Sequence, residues 1–300
     1  MNVASVCSDL TDLDITLNSG QAFHWVRHRH GWLGAVGQVP VYLEQEGNTV
    51  RVNAEAADAA FDYLALDHPL AEICASFPDD PTMQEALRFC RGMRILRQPA
   101  WEAVATFITS SMKQVAHIAQ ISHTLRSRYG KRLSLDGVSL FAYPEPAALA
   151  GLREEDLRAC ALGYRAKNLL AAARMVASGE LDLAAVAQMD DAAAQKALCR
   201  LPGVGEKVAN CALLFGFERL RAFPVDVWIE RVIREKYFAG KRKVTPARIR
   251  EFCGTYFGEY GGYAQQYLFH HARRTWNVRR SPGAARSSPG RGRGSGASLS

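Results

Sequence analysis

No two of the seven cysteines (Cys7, Cys74, Cys90, Cys160, Cys199, Cys211 and Cys253) stand as a CxxC pair. An odd number at scattered spacing suits small buried thiols in a reducing compartment and not a disulfide framework. The same spacing argues against a zinc site or an iron–sulfur cluster. Long hydrophobic runs are also missing. The longest near the centre, Val208 to Phe217, is far too short to cross a bilayer, so no membrane partner is expected. The opening "MNVASVCSDLTDLD" carries no basic leader and turns acidic early, so neither a secretory signal nor a transit peptide is expected. A strong charge excess is lacking too. Without the five arginines of residues 279–300, a stretch with no acid, the formal charge falls from +7 to +2. A polyanionic partner is allowed by this charge and not demanded by it. The chain contains no internal repeat.

What is present is a chain of 300 residues, 48% of them hydrophobic, enough to fill one large domain or two ordinary ones. The first fifty-odd residues read as strands. "DITLNSGQAFHWVRHRHGWLGAV" has short β-prone runs broken at Asn18-Ser19-Gly20, and "VYLEQEGNTVRVNA" predicts a hairpin turning at Gly47-Asn48. Helices are predicted near Ala54–Leu66 and Pro81–Gly92. From Pro99, which suits a first helical position, the pattern stays helical for some 180 residues. The end, "RRSPGAARSSPGRGRGSGASLS", has almost nothing to bury and predicts a disordered tail.

The stretch "RLPGVGEKVANCALLFGF" lies between two helical patterns, Asp191–Leu201 and Glu206–Phe217. Its glycines leave the main chain bare, and the second helix opens with unpaired N–H groups. Such a helix start can bind a phosphate through those groups and the positive end of the helix dipole. It can equally be a tight helix–helix turn. Lys207, on the second residue of that helix, lies close to anything the hairpin holds. Cys211, four residues on, shares its helix face. Further along, Asp226 in "PVDV" immediately precedes a helix, where an N-cap is its ordinary role and does not preclude another.

The sequence "LPGVGEKVA" followed by "PVDV" nineteen residues after the lysine resembles the helix-hairpin-helix DNA glycosylases. The lysine narrows the resemblance to members that both remove a base and nick the strand. "SGQAF" (Ser19–Phe23), "LGYRAKNL" (Leu162–Leu169) and "GGYAQQYLFHHAR" (Gly261–Arg273) are similar to segments of the 8-oxoguanine DNA glycosylases. The likeness runs in the family's order over roughly residues 10–277. It implies an α+β fold with a small antiparallel sheet domain at 1–95, a mostly helical body at 96–279 and a tail at 280–300. The implied partner is double-stranded DNA containing 8-oxoguanine, bound by a monomer.

The resemblance also implies roles. Lys207 would attack C1′ of the flipped nucleotide, displace the base and form a Schiff base; Asp226 would stabilise the positive charge developing on the sugar and assist proton transfers. An amine attacks only when unprotonated, which a partly desolvated helix end favours. The Gly20 carbonyl would accept from the N7–H of 8-oxoguanine, a hydrogen that guanine lacks. Gln265 would bond the Watson–Crick edge, and Phe269 and Cys211 would sandwich the ring. Tyr164 would wedge into the base stack and Arg165 would contact the orphaned cytosine. Gly203 and Gly205 would hold the DNA backbone at the hairpin. The family further implies no required cofactor and no iron–sulfur cluster, with a structural monovalent cation on the carbonyls of Cys199, Leu201 and Val204.

Three positions depart from the family pattern. Met112 stands where an asparagine is common and His117 where an arginine is, and both family residues help read the opposite cytosine. Met112 cannot replace the hydrogen bonds of an amide, and His117 is shorter than arginine. Trp228 replaces a histidine often placed near a phosphate. Rival readings are an alkylated-base glycosylase of the same fold, which generally lacks the lysine, and adenine or oxidised-pyrimidine glycosylases, which usually carry a C-terminal four-cysteine cluster. A non-catalytic DNA-binding hairpin protein is the third. The expected setting is the bacterial cytoplasm, at the nucleoid, or the nucleus in a eukaryote.

Overall fold

The computed structural model describes residues 3–7, 10–110, 114–240 and 244–278. Met112 and the Arg/Gly/Ser tail lie outside them. The first unit is a five-stranded antiparallel sheet built from β1 (Val3–Cys7), β2 (Val26–His28), β3 (Gly31–Val36), β4 (Val39–Glu46) and β5 (Thr49–Asn53), in the order β1-β5-β4-β3-β2. The Gly47-Asn48 turn joins β4 and β5, with Glu46 opposite Thr49 and Leu43 opposite Val52. Period-two alternation sends Val41, Leu43, Val50 and Val52 to one face. There they pack with Leu13, Leu17, Trp25, Tyr63 and Leu96.

One segment read as strand is a helix. Leu13, Ile15 and Leu17 alternate in sequence, yet α1 (Leu13–Asn18) forms because the Asp12 carboxylate accepts the Ile15 N–H at 2.8 Å and caps its start. The helix brings the chain to Ser19 and Gly20.

After the sheet come α2 (Ala57–Tyr63), α3 (Leu70–Ala75) and α4 (Pro81–Phe89), then α5 (Ala100–Ser110) and α6 (Val115–Tyr129). The helical pattern expected from Pro99 onward is interrupted by a small hairpin, β6 (Arg132–Leu135) and β7 (Val138–Phe141). Asp136 and Gly137, at φ 52° and 79°, make its turn, the Asp-Gly pair that suits a two-residue hairpin. The rest is helical: α7 (Pro146–Ala150), α8 (Glu154–Arg158), α9 (Arg165–Ala177), α10 (Leu183–Ala187), α11 (Asp191–Leu198), α12 (Glu206–Gly216), α13 (Val227–Val232), a π-helical turn over Ile233–Tyr237, α14 (Pro246–Tyr256) and α15 (Gly261–Val278).

A second apolar cluster joins these helices. It includes Met83 and Ala86 of α4, Val104 and Ile108 of α5, Leu169 of α9, Leu213 of α12 and Leu268 of α15. Phe107 of α5 stacks on Phe215 of α12, centroids 5.3 Å apart and planes 16° from parallel. That contact fixes the helix bearing Lys207 against the buried α5. Where the sheet meets the body, the buried His24, Glu102 and Arg126 side chains form a polar cluster, with Glu102 paired to Arg126 and 3.6 Å from His24 Nδ1.

Candidate active site

The turn between α11 and α12 makes the helix-hairpin-helix. Gly203 sits at φ +84°, a left-handed conformation that side chains resist, and Gly205 caps α12 without any side-chain cap. The N–H groups of the first turn are therefore left to an outside acceptor. Glu206 would oppose an anion there, but its carboxylate is 3.1 Å from Arg250 Nε. Lys207 follows, half-buried, with Nζ 5.4 Å from the Phe107 ring centroid. Cys211 is buried one turn on, and burial is the main cause that raises its thiol pKa. Lys207 opposes that rise by its charge and a hydrogen bond.

Asp226 is the N-cap of α13, accepting from the N–H groups of Trp228 at 3.0 Å and Ile229 at 2.8 Å. Burial raises its pKa, while the Ile229 hydrogen bond and the nearby Lys207 charge act the other way. Two successive helix starts thus present an amine and a carboxylate to one cleft. Its lining includes Gly20, Phe107, Cys211, Gln265 and Phe269 besides Lys207 and Asp226. The structure therefore brings together six residues singled out from the sequence: Gly20, Lys207, Cys211, Asp226, Gln265 and Phe269.

Two polar groups in this cleft are unusual. Gln265 is only 4% exposed, and its Oε1 is buried without a hydrogen-bond partner among the described residues. Such an orphan is costly unless something else satisfies it. Gly20, at φ +94°, is flanked by carbonyls that are all engaged. Asn18 O accepts from Arg273 at 2.7 Å, Ser19 O from Gln266 at 3.2 Å and Gln21 O from Gln98 at 2.9 Å. No hydrogen bond to the Gly20 carbonyl forms among the described residues. The apolar walls are Phe107, Phe215, Pro224 and Phe269.

Away from the cleft, Tyr164 is 57% exposed at the start of α9, and the Arg165 guanidinium lies 4.4 Å from its ring centroid. His117 is exposed on the first turn of α6, and Trp228 is half-buried beside Asp226. In the hairpin, Leu201 O accepts the Val204 N–H at 3.0 Å. Among the described residues, no group of three or more His, Cys, Asp or Glu side chains could hold a metal ion, and no helix is long and apolar enough to cross a membrane.

Sequence reasoning missed Phe107 and Phe215 as the floor beneath the lysine, and Gln266 and Arg273 as supports of the Gly20 loop. Phe107 was visible only as one apolar helical position among several. Gln266 and Arg273 stood inside the quoted "GGYAQQYLFHHAR", where nothing distinguishes an inward polar residue from a solvated one.

Residues 105–255 match the HhH-GPD superfamily base excision DNA repair protein family, and residues 6–104 match the 8-oxoguanine DNA glycosylase N-terminal domain. The chain thus belongs to the helix-hairpin-helix superfamily of base excision DNA repair proteins. Within it, the chain belongs to the 8-oxoguanine DNA glycosylases. N-glycosylase/DNA lyase OGG1 of Arabidopsis thaliana is 31% identical over 278 residues, covering 86% of this chain and 76% of the relative. The probable N-glycosylase/DNA lyase of Methanothermobacter thermautotrophicus is 32% identical over 220 residues, 67% of this chain and 70% of the relative. Among solved structures, Clostridium acetobutylicum 8-oxoguanine glycosylase/lyase in complex with DNA containing cytosine opposite 8-oxoguanine aligns at TM-score 0.83 and 30% identity, covering 88% of this chain and 92% of that one.

Proposed function

We propose that this chain excises 8-oxoguanine from duplex DNA and then cuts the strand at the abasic site, with Lys207 as nucleophile. The observation that carries this reading is the shared cleft, where the Lys207 amine and Asp226 carboxylate meet the unpartnered Gln265 Oε1. A base inside a duplex is unreachable, so the nucleotide must be flipped out. Tyr164, whose ring is exposed, would fill the gap, and Arg165, whose guanidinium lies against that ring, would contact the orphaned base.

The neutral Lys207 amine attacks C1′, and the bond from C1′ to the base nitrogen breaks with its electrons leaving on the base. Asp226, as a carboxylate, faces the positive charge that develops on the sugar and takes up the amine proton. Ring opening gives a Schiff base. Loss of a C2′ proton then expels the 3′ phosphate by β-elimination.

Selectivity follows from single hydrogen bonds. The Gly20 carbonyl accepts from N7–H, which guanine lacks, and the Gln265 amide takes the Watson–Crick edge. Phe269 and Cys211 flank the ring. The carbonyls of Cys199, Leu201 and Val204 would hold a monovalent cation, which when bound adds positive charge at a hairpin facing phosphate. With Trp228 in place of a histidine, backbone N–H groups would carry the phosphate contacts, those around Gly203 and Gly205 at the hairpin.

Borohydride reduction in the presence of a duplex containing 8-oxoguanine tests the reading. Wild type should form a covalent adduct. Lys207→Gln keeps length and polarity without the nucleophilic amine, so it should bind the duplex yet give neither adduct nor excision. Excision at the wild-type rate in that variant would overturn the assignment. Excision without any adduct in wild type would favour an aspartate-only glycosylase.

A further inference from the structure

We infer that Arg273 is a positioning residue for lesion recognition: it holds the loop around Gly20 so that the one free carbonyl there faces the base. The inference rests on the 8-oxoguanine reading above. It starts from the way the loop is pinned. Arg273 Nη2 donates to Asn18 O at 2.7 Å, and the guanidinium sits 5.5 Å from the Phe269 ring centroid. A Cβ on Gly20 would lie 3.0 Å from Arg273 Nη1 and 3.3 Å from Phe269 Cε1, so the bare glycine backbone rests directly on both side chains. From the same helix, Gln266 takes Ser19 O. On the other side, Gln98 takes Gln21 O, and the Gln21 side chain bonds Ser19 Oγ and the Arg94 carbonyl.

The consequence is geometric. Three peptide carbonyls around Gly20, those of Asn18, Ser19 and Gln21, have donors, so the peptide that carries the Gly20 carbonyl is held between anchored neighbours on both sides. A glycine at φ +94° has no side chain to resist such rotation, so restraint must come from neighbours. Arg273 supplies it by a charged donor, whose hydrogen bonds are stronger than neutral ones. It also spans 255 positions of sequence, tying the sheet unit to the last helix. Discrimination by one backbone oxygen needs that oxygen held within a fraction of an ångström. Arg273 does not line the cleft itself; it touches Gly20 and Phe269, and its charge also acts on Asp226, which Arg273→Lys retains.

Two activities separate this role from a general structural one. Excision of 8-oxoguanine needs the base reader; cleavage of a preformed abasic site needs Lys207 and Asp226 but no base. Arg273→Met keeps an unbranched side chain and removes the guanidinium, and with it both the donor to Asn18 O and the charge beside Phe269. Single-turnover excision opposite cytosine should fall roughly tenfold to a hundredfold, while cleavage of an abasic site in the same duplex stays within about twofold. In a Lys207→Gln background, the same substitution should collapse the binding preference for 8-oxoguanine over guanine. Arg273→Lys, which keeps a charged donor for Asn18 O, should recover part of the loss and decides the matter if the methionine variant does not fold. Equal excision in wild type and both variants, or an equal fall in excision and abasic cleavage, overturns the inference alone. If wild type cleaves abasic DNA but leaves 8-oxoguanine in place, the substrate reading falls and this inference with it.

Discussion

Gly203 is seated on Asn168: a Cβ at Gly203 would lie 2.8 Å from Asn168 Nδ2 and 2.9 Å from Asn168 Cβ. The hairpin that delivers Lys207 therefore rests on the helix that opens with Tyr164 and Arg165. Lys207 and Tyr164, the proposed nucleophile and wedge, are spaced by a contact only a glycine permits. Gly203→Ala should then be costly twice, through the strained φ of +84° and through the clash. Backbone strain alone is worth about 1–3 kcal/mol. The expected outcome is a Tm lower by several degrees together with weaker DNA binding. An unchanged melting curve would show that the hairpin has room to shift.

Asp226 ties activity and stability to pH in opposite senses. Burial raises its pKa, so the ionised form that the proposed chemistry requires is the form the fold disfavours. The acid limb of the excision profile should therefore lie above the usual carboxylate range. Asp226→Asn should remove that limb and lower excision on the order of a hundredfold to ten-thousandfold. For stability, a folded-state pKa raised above the unfolded value gives a contribution that is complete below the unfolded pKa and lost as pH rises through the folded one. Asparagine still caps α13. The variant should thus match wild type in Tm at about pH 3 and equal or exceed it at neutral pH. A variant less stable than wild type at neutral pH would contradict this account.

The cluster of His24, Glu102 and Arg126 makes a separate test of the junction between sheet and body. Burial, then the Arg126 charge, pushes the His24 pKa well down, while burial raises Glu102 against the pull of Arg126. Glu102 and Arg126 are the buried pair, their side chains 6% and 4% exposed. Removing one partner of such a pair costs about 3–5 kcal/mol, because the other charge stays buried. Glu102→Ala should unfold well below wild type in denaturant. The double variant Glu102→Leu, Arg126→Met should regain most of the loss. If the double variant is no better than the single one, the pair contributes more than mutual neutralisation.

The placing of Lys207 and Asp226 at two helix starts was legible in the sequence because each belongs to a short local motif, a Gly-rich hairpin before Lys207 and a helix cap at Asp226. The antiparallel sheet was legible where hydrophobic alternation and a Gly-Asn turn coincided, as in β4 and β5. The β-prone run read through Ile15–Leu17 is a helix instead, started by the Asp12 cap. The β6–β7 hairpin was hidden inside a helical region even though Asp136-Gly137 marked its turn. The supports of Gly20 could not be read at all. Arg273 and Asn18 meet only in the folded chain, and no periodicity links residues so far apart.

The opposite base is where this chain departs most from the pattern it otherwise follows. Discrimination between bases comes from hydrogen bonds made to the right edge and left unmade with the wrong one, about 1–3 kcal/mol for a good bidentate pair. Of the three side chains the family resemblance implies for the cytosine, Arg165 is present and held against Tyr164 at 4.4 Å. His117 stands exposed at the second place, and Met112 occupies the third. We therefore expect excision of 8-oxoguanine opposite cytosine with greater tolerance of other opposite bases than three polar contacts would allow. Met112→Asn with His117→Arg should sharpen the preference, and Arg165→Ala should weaken activity opposite cytosine most. Four duplexes differing only in the base opposite the lesion, assayed under single-turnover conditions, decide it. A strong cytosine preference in wild type, left unchanged by the double substitution, would mean that another contact reads the cytosine.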